Sequence, residues 1–143
     1  MRTAPLRHPL HPALAHFPLA FWLGASVCDL IALKTGAAEW WALSRHAIAA
    51  GVIMGVPALC AGILELWLRT LPRAAGRWVV THASLMSLAL LCFMASLPQR
   101  TVAPPGGAAL ALSFLGTAIV LAGGFCGGTL VYRFGVGVAE GSE

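Results

Sequence analysis

Charge is what this chain has least of. Of its 143 residues, 10% are Asp, Glu, Lys or Arg, nine basic and five acidic, against about 25% in ordinary soluble domains. So few charged side chains cannot clothe a soluble domain of this length, which excludes a soluble enzyme, a disordered chain and a nucleic-acid binder. Catalytic signatures are also missing. There is no G-x-S-x-G elbow, no P-loop, no G-x-G-x-x-G after a strand and no H-E-x-x-H, so the usual hydrolase, nucleotide and zinc-protease chemistries have no support. The four cysteines, Cys28, Cys60, Cys92 and Cys126, form no C-x-x-C, and a zinc or redox pair by local spacing is excluded. The alternation that a membrane barrel needs is absent, and no long-period repeat is evident.

What is present is apolar length: 59% of the residues are hydrophobic. A spanning helix takes about 20 mostly apolar residues, and four stretches qualify: Ala13 to Leu33, Ala47 to Leu68, Trp78 to Leu97 and Ala108 to Tyr132. The expected fold is all-α, an antiparallel four-helix transmembrane bundle forming one domain over residues 1–143. The segment Lys34 to Arg45, with the interfacial pair Trp40–Trp41, reads as a connection; so do Arg69 to Arg77 and the Pro- and Gly-rich Pro98 to Gly107. The first run is too long for a cleaved signal segment and is read as retained.

Four spans put both ends on one side. That side collects Arg2, Arg7, Arg69, Arg73, Arg77 and Arg133, and the other Lys34, Arg45 and Arg100. The positive-inside rule then predicts both termini in the cytoplasm. Small residues recur at helical spacing: Gly51, Gly55, Ala58 and Gly62 in the second span; Gly116, Gly123, Gly124, Gly127 and Gly128 in the fourth; His16, Ala20 and Gly24 in the first. They predict close helix packing, with room for a flat cofactor as the other use. Pro57, in mid-span, predicts a kink.

Ionisable residues inside a membrane are costly and are functional candidates by default. Counting rise per residue sorts them into two layers. His16 and His82 share a depth with Glu65 near the cytoplasmic side, and Asp29 and His46 share one near the opposite side. Each has a plainer reading: Glu65 with Arg69 as a helical pair, Asp29 paired with Lys34 or Arg45, His46 as an interfacial residue. Before the first span stands His8-Pro9-Leu10-His11-Pro12, in which each proline is expected to hold the preceding histidine out of helical geometry. His8, His11, His16 and His82 together are the candidate metal ligands, although H-x-x-H alone is a weak signal.

The stretch His8 to Leu30, HPLHPALAHFPLAFWLGASVCDL, resembles the opening of a family of bacterial membrane proteins catalogued as domain of unknown function 2231. The closing run Gly127 to Val138, GGTLVYRFGVGV, is similar to its GG-x-LVYR-x-GVGV pattern. Between them, Gly51 to Glu65 and Thr81-His82-Ala83 fall where the family keeps an acidic residue and a histidine. Glu65 stands where aspartate is more usual, and an asparagine often found after the histidine is missing, with Met86 and Ser87 in that region. The resemblance implies a four-helix domain of the bacterial inner membrane. Some relatives join this domain to Rieske-type or cytochrome c modules, which implies an electron-transfer context.

Three functional readings stay open. In the first, His16 and His82 hold a b-type haem, or serve a quinone-linked site, in an electron-transfer subunit. In the second, the chain is a non-catalytic structural or assembly subunit. In the third, its histidines and carboxylates relay protons or ions; the roughly 20 Å of apolar helix between the two layers weighs against that. No stand-alone enzyme activity is indicated. The expected partners are the lipid bilayer and a redox protein or the subunits of a membrane complex, in a homo-oligomer or hetero-complex, with no nucleic acid.

Overall fold

In the computed structural model, residues 10–68 and 70–138 are described. They form four long helices: α1 (Leu10–Thr35), α2 (Ala38–Leu68), α3 (Gly76–Ser96) and α4 (Gly107–Phe134), with single 3-10 turns at Arg73–Ala75 and Leu97–Gln99 and no strand among the described residues. Each helical stretch is long and apolar enough to cross a membrane.

The helices outrun the apolar windows read from sequence. At 31 residues α2 is about 46 Å long, more than a hydrocarbon core of about 30 Å. It therefore continues through the interface, and Trp40, Trp41 and Arg45, expected in a connection, lie inside it. The true link is Gly36-Ala37: Gly36, at φ 71, takes the left-handed turn that ends α1 and donates its N–H to Ala32 O. The first helix also starts earlier than expected, with His11 inside it. Pro12 is tolerated because first-turn N–H groups have no acceptor within the helix, so its missing donor costs nothing there. His8 lies outside the described residues.

Helices α1 and α2 pack along each other as one hairpin, and α3 and α4 as another; the hairpins touch along fewer residues. They meet over a core of Trp22, Ala25, Ile48, Ala89, Leu90, Phe93 and Val120. At its centre the Trp22 indole stacks on the Phe93 ring, centroids 4.7 Å apart and planes 8° off parallel. Gly51 and Gly55 leave the hollow for Trp22, since a Cβ at Gly51 would overlap the indole, and Gly116 does the same for Phe93. The expected His16–Ala20–Gly24 stripe is not a packing face: His16 and Ala20 are exposed, and Gly24 has open space where a side chain would be.

Candidate functional site

The polar residues gather at the two ends of the bundle. At the α1–α2 turn, Asp29 is fully buried and held by Arg100, from the loop between α3 and α4. Arg100 Nη1 donates to Asp29 Oδ1 at 2.8 Å and Nη2 to Oδ2 at 2.6 Å, a bidentate pair. Its other N–H groups reach Ser44 (3.0 Å), Ser113 (2.8 Å) and Ser96 (3.1 Å). All five donors of the guanidinium are used, by groups from all four helices. A buried pair this well satisfied binds the helices together, and it has no donor left for a ligand. The outcome differs from the expected Asp29–His46 layer and from pairing with Lys34 or Arg45. His46 is exposed and donates its ring Nδ1–H to Ala42 O of its own helix. Arg100 reads in sequence as a loop cation, yet it is 4% exposed.

At the other end, two imidazoles face each other. His11 Nδ1 lies 2.8 Å from Ala58 O, and His82 Nδ1 lies 2.8 Å from Gly123 O. A carbonyl only accepts, so each Nδ1 carries the hydrogen, and a neutral ring then keeps a lone pair on Nε2. Neither Nε2 has a hydrogen-bond partner among the described residues. The two bonds share a local cause. In a helix the carbonyl of residue i is flanked by the side chain at i+4. Gly62 follows Ala58 by four, Gly127 follows Gly123 by four, and a Cβ at either glycine would come within 3.0 Å of the imidazole. Glycine uncovers the carbonyl and seats the ring.

His11 has a third hold. Its backbone N–H, in the first turn of α1, donates to Glu65 Oε1 at 3.0 Å. Ala58, Gly62 and Glu65 lie on one face of α2, four and three residues apart. His82 is well inside α3 and needs no such cap.

Both rings line a cavity of about 310 Å³ between the hairpins. It runs from Trp22 and Leu90 in mid-bundle to Leu71 and Val136 beyond the helix ends. Its rim includes the turn after α4, where Gly135 (φ 64) and Gly137 (φ 85) fold the chain back and Val136 N–H caps Leu130 O. The imidazole centroids are 6.0 Å apart, with planes at 82°.

His16 is level with this site, as rise counting implies, but it is exposed at the cavity edge and is not brought against His82. The reason is angular: five residues turn a helix through about 500°, so His16 points roughly 140° away from His11. The residue that meets His82 is His11, and the missed signal was the pair of glycines four residues after an exposed carbonyl. Among the described residues no group of three or more His, Cys, Asp or Glu is placed to hold an ion, so His11, His16 and His82 do not form a metal cluster.

The molecule is thus a four-span helical membrane protein whose opening and closing motifs converge on one imidazole-lined cavity: His11 comes from the first, Gly127, Val136 and Gly137 from the last. The chain belongs to the family described as predicted membrane protein (DUF2231), whose model matches residues 7–140. Neither a curated protein nor a solved structure matches it.

Proposed function

We propose that the protein is an electron-transfer subunit of a bacterial inner membrane that holds a b-type haem between His11 and His82. The observation that carries this reading is the pair of cavity-facing imidazoles, each with Nδ1–H on a helix carbonyl and Nε2 free, at a centroid separation of 6.0 Å. Two imidazoles bound on opposite sides of one metal, at roughly 2 Å per bond, have centroids about 6 Å apart. A para-hydroquinone bonded to both nitrogens would hold them more than about 10 Å apart, so a quinone between the rings has less support.

The donor set also fits the group. A free divalent ion asks for roughly four donors, whereas a haem would ask the protein for two, which His11 and His82 would supply. An Nδ1–H donated to a carbonyl is the arrangement that fixes a ligating imidazole in orientation and tautomer. Gly62 and Gly127 bring the helices close beneath the rings, and the apolar walls suit a macrocycle. A bound haem would supply one-electron redox chemistry; the chain's own residues orient it and keep water from its inner face. Conduction through the bundle has little support, because the cavity ends at Trp22, whose indole is stacked on Phe93. The six arginines on the side of the termini support an orientation with both ends in the cytoplasm, where a redox protein or a complex subunit would meet the cavity end.

The test is an absorbance spectrum of the full chain purified from haem-replete membranes, oxidised and then reduced with dithionite. The expected result is a low-spin Soret and α-band pattern that His11→Ala and His82→Ala abolish and His16→Ala keeps. A colourless preparation rejects the haem, and loss of the bands in His16→Ala but not His11→Ala rejects the ligand assignment.

A further inference from the structure

Three pairs of side chains meet across the middle of the bundle: the His11 and His82 rings, the stacked Trp22 and Phe93, and the ion pair Asp29–Arg100. In all three the partners are 71 positions apart (11 to 82, 22 to 93, 29 to 100). The second and fourth helices show the same regularity. Gly51 under Trp22 and Gly116 under Phe93, Ala58 O and Gly123 O on the imidazoles, and Gly62 and Gly127 beneath them are each 65 positions apart (51 to 116, 58 to 123, 62 to 127). Burial follows the same shift: Ser44, Ile48 and Ala61 in α2 correspond to Ala109, Ser113 and Cys126 in α4, all buried. The outward aromatics Trp67 and Tyr132, 80% and 92% exposed, correspond too.

One hairpin is therefore used twice, related by a pseudo-two-fold axis along the bundle. On such an axis a residue meets its own equivalent, as in a symmetric dimer interface. We infer that the cavity is a two-fold site: His11 and His82 are equivalent ligands, and the occupant offers the same bonding direction to both. This deepens the haem reading and rests on it for the ligand; the symmetry itself rests on the packing alone. A group that would take two imidazoles alike meets the requirement, and a molecule with one polar end does not.

Two departures from symmetry are compensated in place, while Glu65 on the His11 N–H faces no counterpart, the equivalent position being Leu130. The larger ring, Trp22, sits on two glycines, Gly51 and Gly55, whereas the smaller, Phe93, sits by Gly116 with Val120 at the position equivalent to Gly55. Asp29 and Arg100 are equivalent positions of opposite charge, so two unlike hairpins attract where two like ones would bury like charges. The outer end thus selects the partner, and at the cavity end the two rings take the same carbonyl bond and the same glycine seat.

Two measurements on the full chain test this. The first exchanges residues across the axis: Trp22→Phe, Phe93→Trp, Gly55→Val and Val120→Gly together. Thermal unfolding in detergent is expected within about 5 °C of the parent chain, while Phe93→Trp with Val120 retained unfolds well below it. If the full exchange is no more stable than that single substitution, the two-fold relation is overturned. The second titrates haemin into the parent chain, His11→Ala and His82→Ala. Both variants are expected to lose the low-spin spectrum, to give the same five-coordinate product and to weaken binding by the same factor. A difference between them of more than about tenfold overturns the equivalence of the ligands. A parent chain that takes up no haemin overturns the haem reading and the ligand half of the inference, and the exchange still decides the two-fold half.

Discussion

The two ends of the bundle spend their polar atoms in opposite ways. At the Asp29 end every guanidinium N–H has an acceptor, drawn from all four helices. At the His11 end each imidazole commits one nitrogen to a helix carbonyl and leaves the other without a hydrogen-bond partner among the described residues, in a ring that lines a cavity. Both sets are costly to place in a membrane. Saturation marks the first as structure, and incompleteness makes the second the candidate site.

That contrast makes graded predictions. The largest effect is expected at the saturated end. Arg100→Ala leaves a buried carboxylate without its cation and with only Ser113 as donor, which should cost about 3–5 kcal/mol, read as a lowered unfolding transition in detergent. A chain that shrugs off this change would erase the distinction between the ends. Gly51→Ala comes next, because its Cβ overlaps the Trp22 indole; overpacking of this kind costs about 1–3 kcal/mol on the same assay.

At the open end stability and binding should part company. His82→Ala loses one hydrogen bond, worth about 1 kcal/mol, yet should abolish the low-spin haem spectrum and weaken haemin binding. Gly127→Ala should push the imidazole off its seat, weakening haemin binding about tenfold with a stability change below that of Gly51→Ala. His46→Ala, at an exposed residue bonded only within its own helix, should stay within about 0.5 kcal/mol of the parent chain.

Much of the frame was legible before any coordinates. Scarce charge and long apolar runs give four helices, and rise counting places His16, His82 and Glu65 at one level and Asp29 at the other. What a linear count lacks is azimuth. His16 and His11 are both near the start of α1, but one faces outward and the other inward, and only the positions of Gly62 and Gly127 tell which seats exist. Arg100 was hidden for a different reason: it belongs to a loop, and nothing in the composition of that loop says that it turns back into the bundle. The two-fold relation is not legible in the sequence because it is kept by size and burial rather than identity. His11 matches His82 and Gly62 matches Gly127, but Asp29 matches an arginine and Trp22 a phenylalanine.

The Asp29–Arg100 pair also has a history within the life of each molecule. Chains are made from the N-terminus, so Asp29 emerges 71 residues before its cation, and Ser113 later still. While those 71 residues are added, the carboxylate of Asp29 is without the cation that seals it in the finished bundle. The network is therefore closed only by the last span: a chain that ends before Ser113 cannot give Asp29 and Arg100 all the partners they have in the finished bundle.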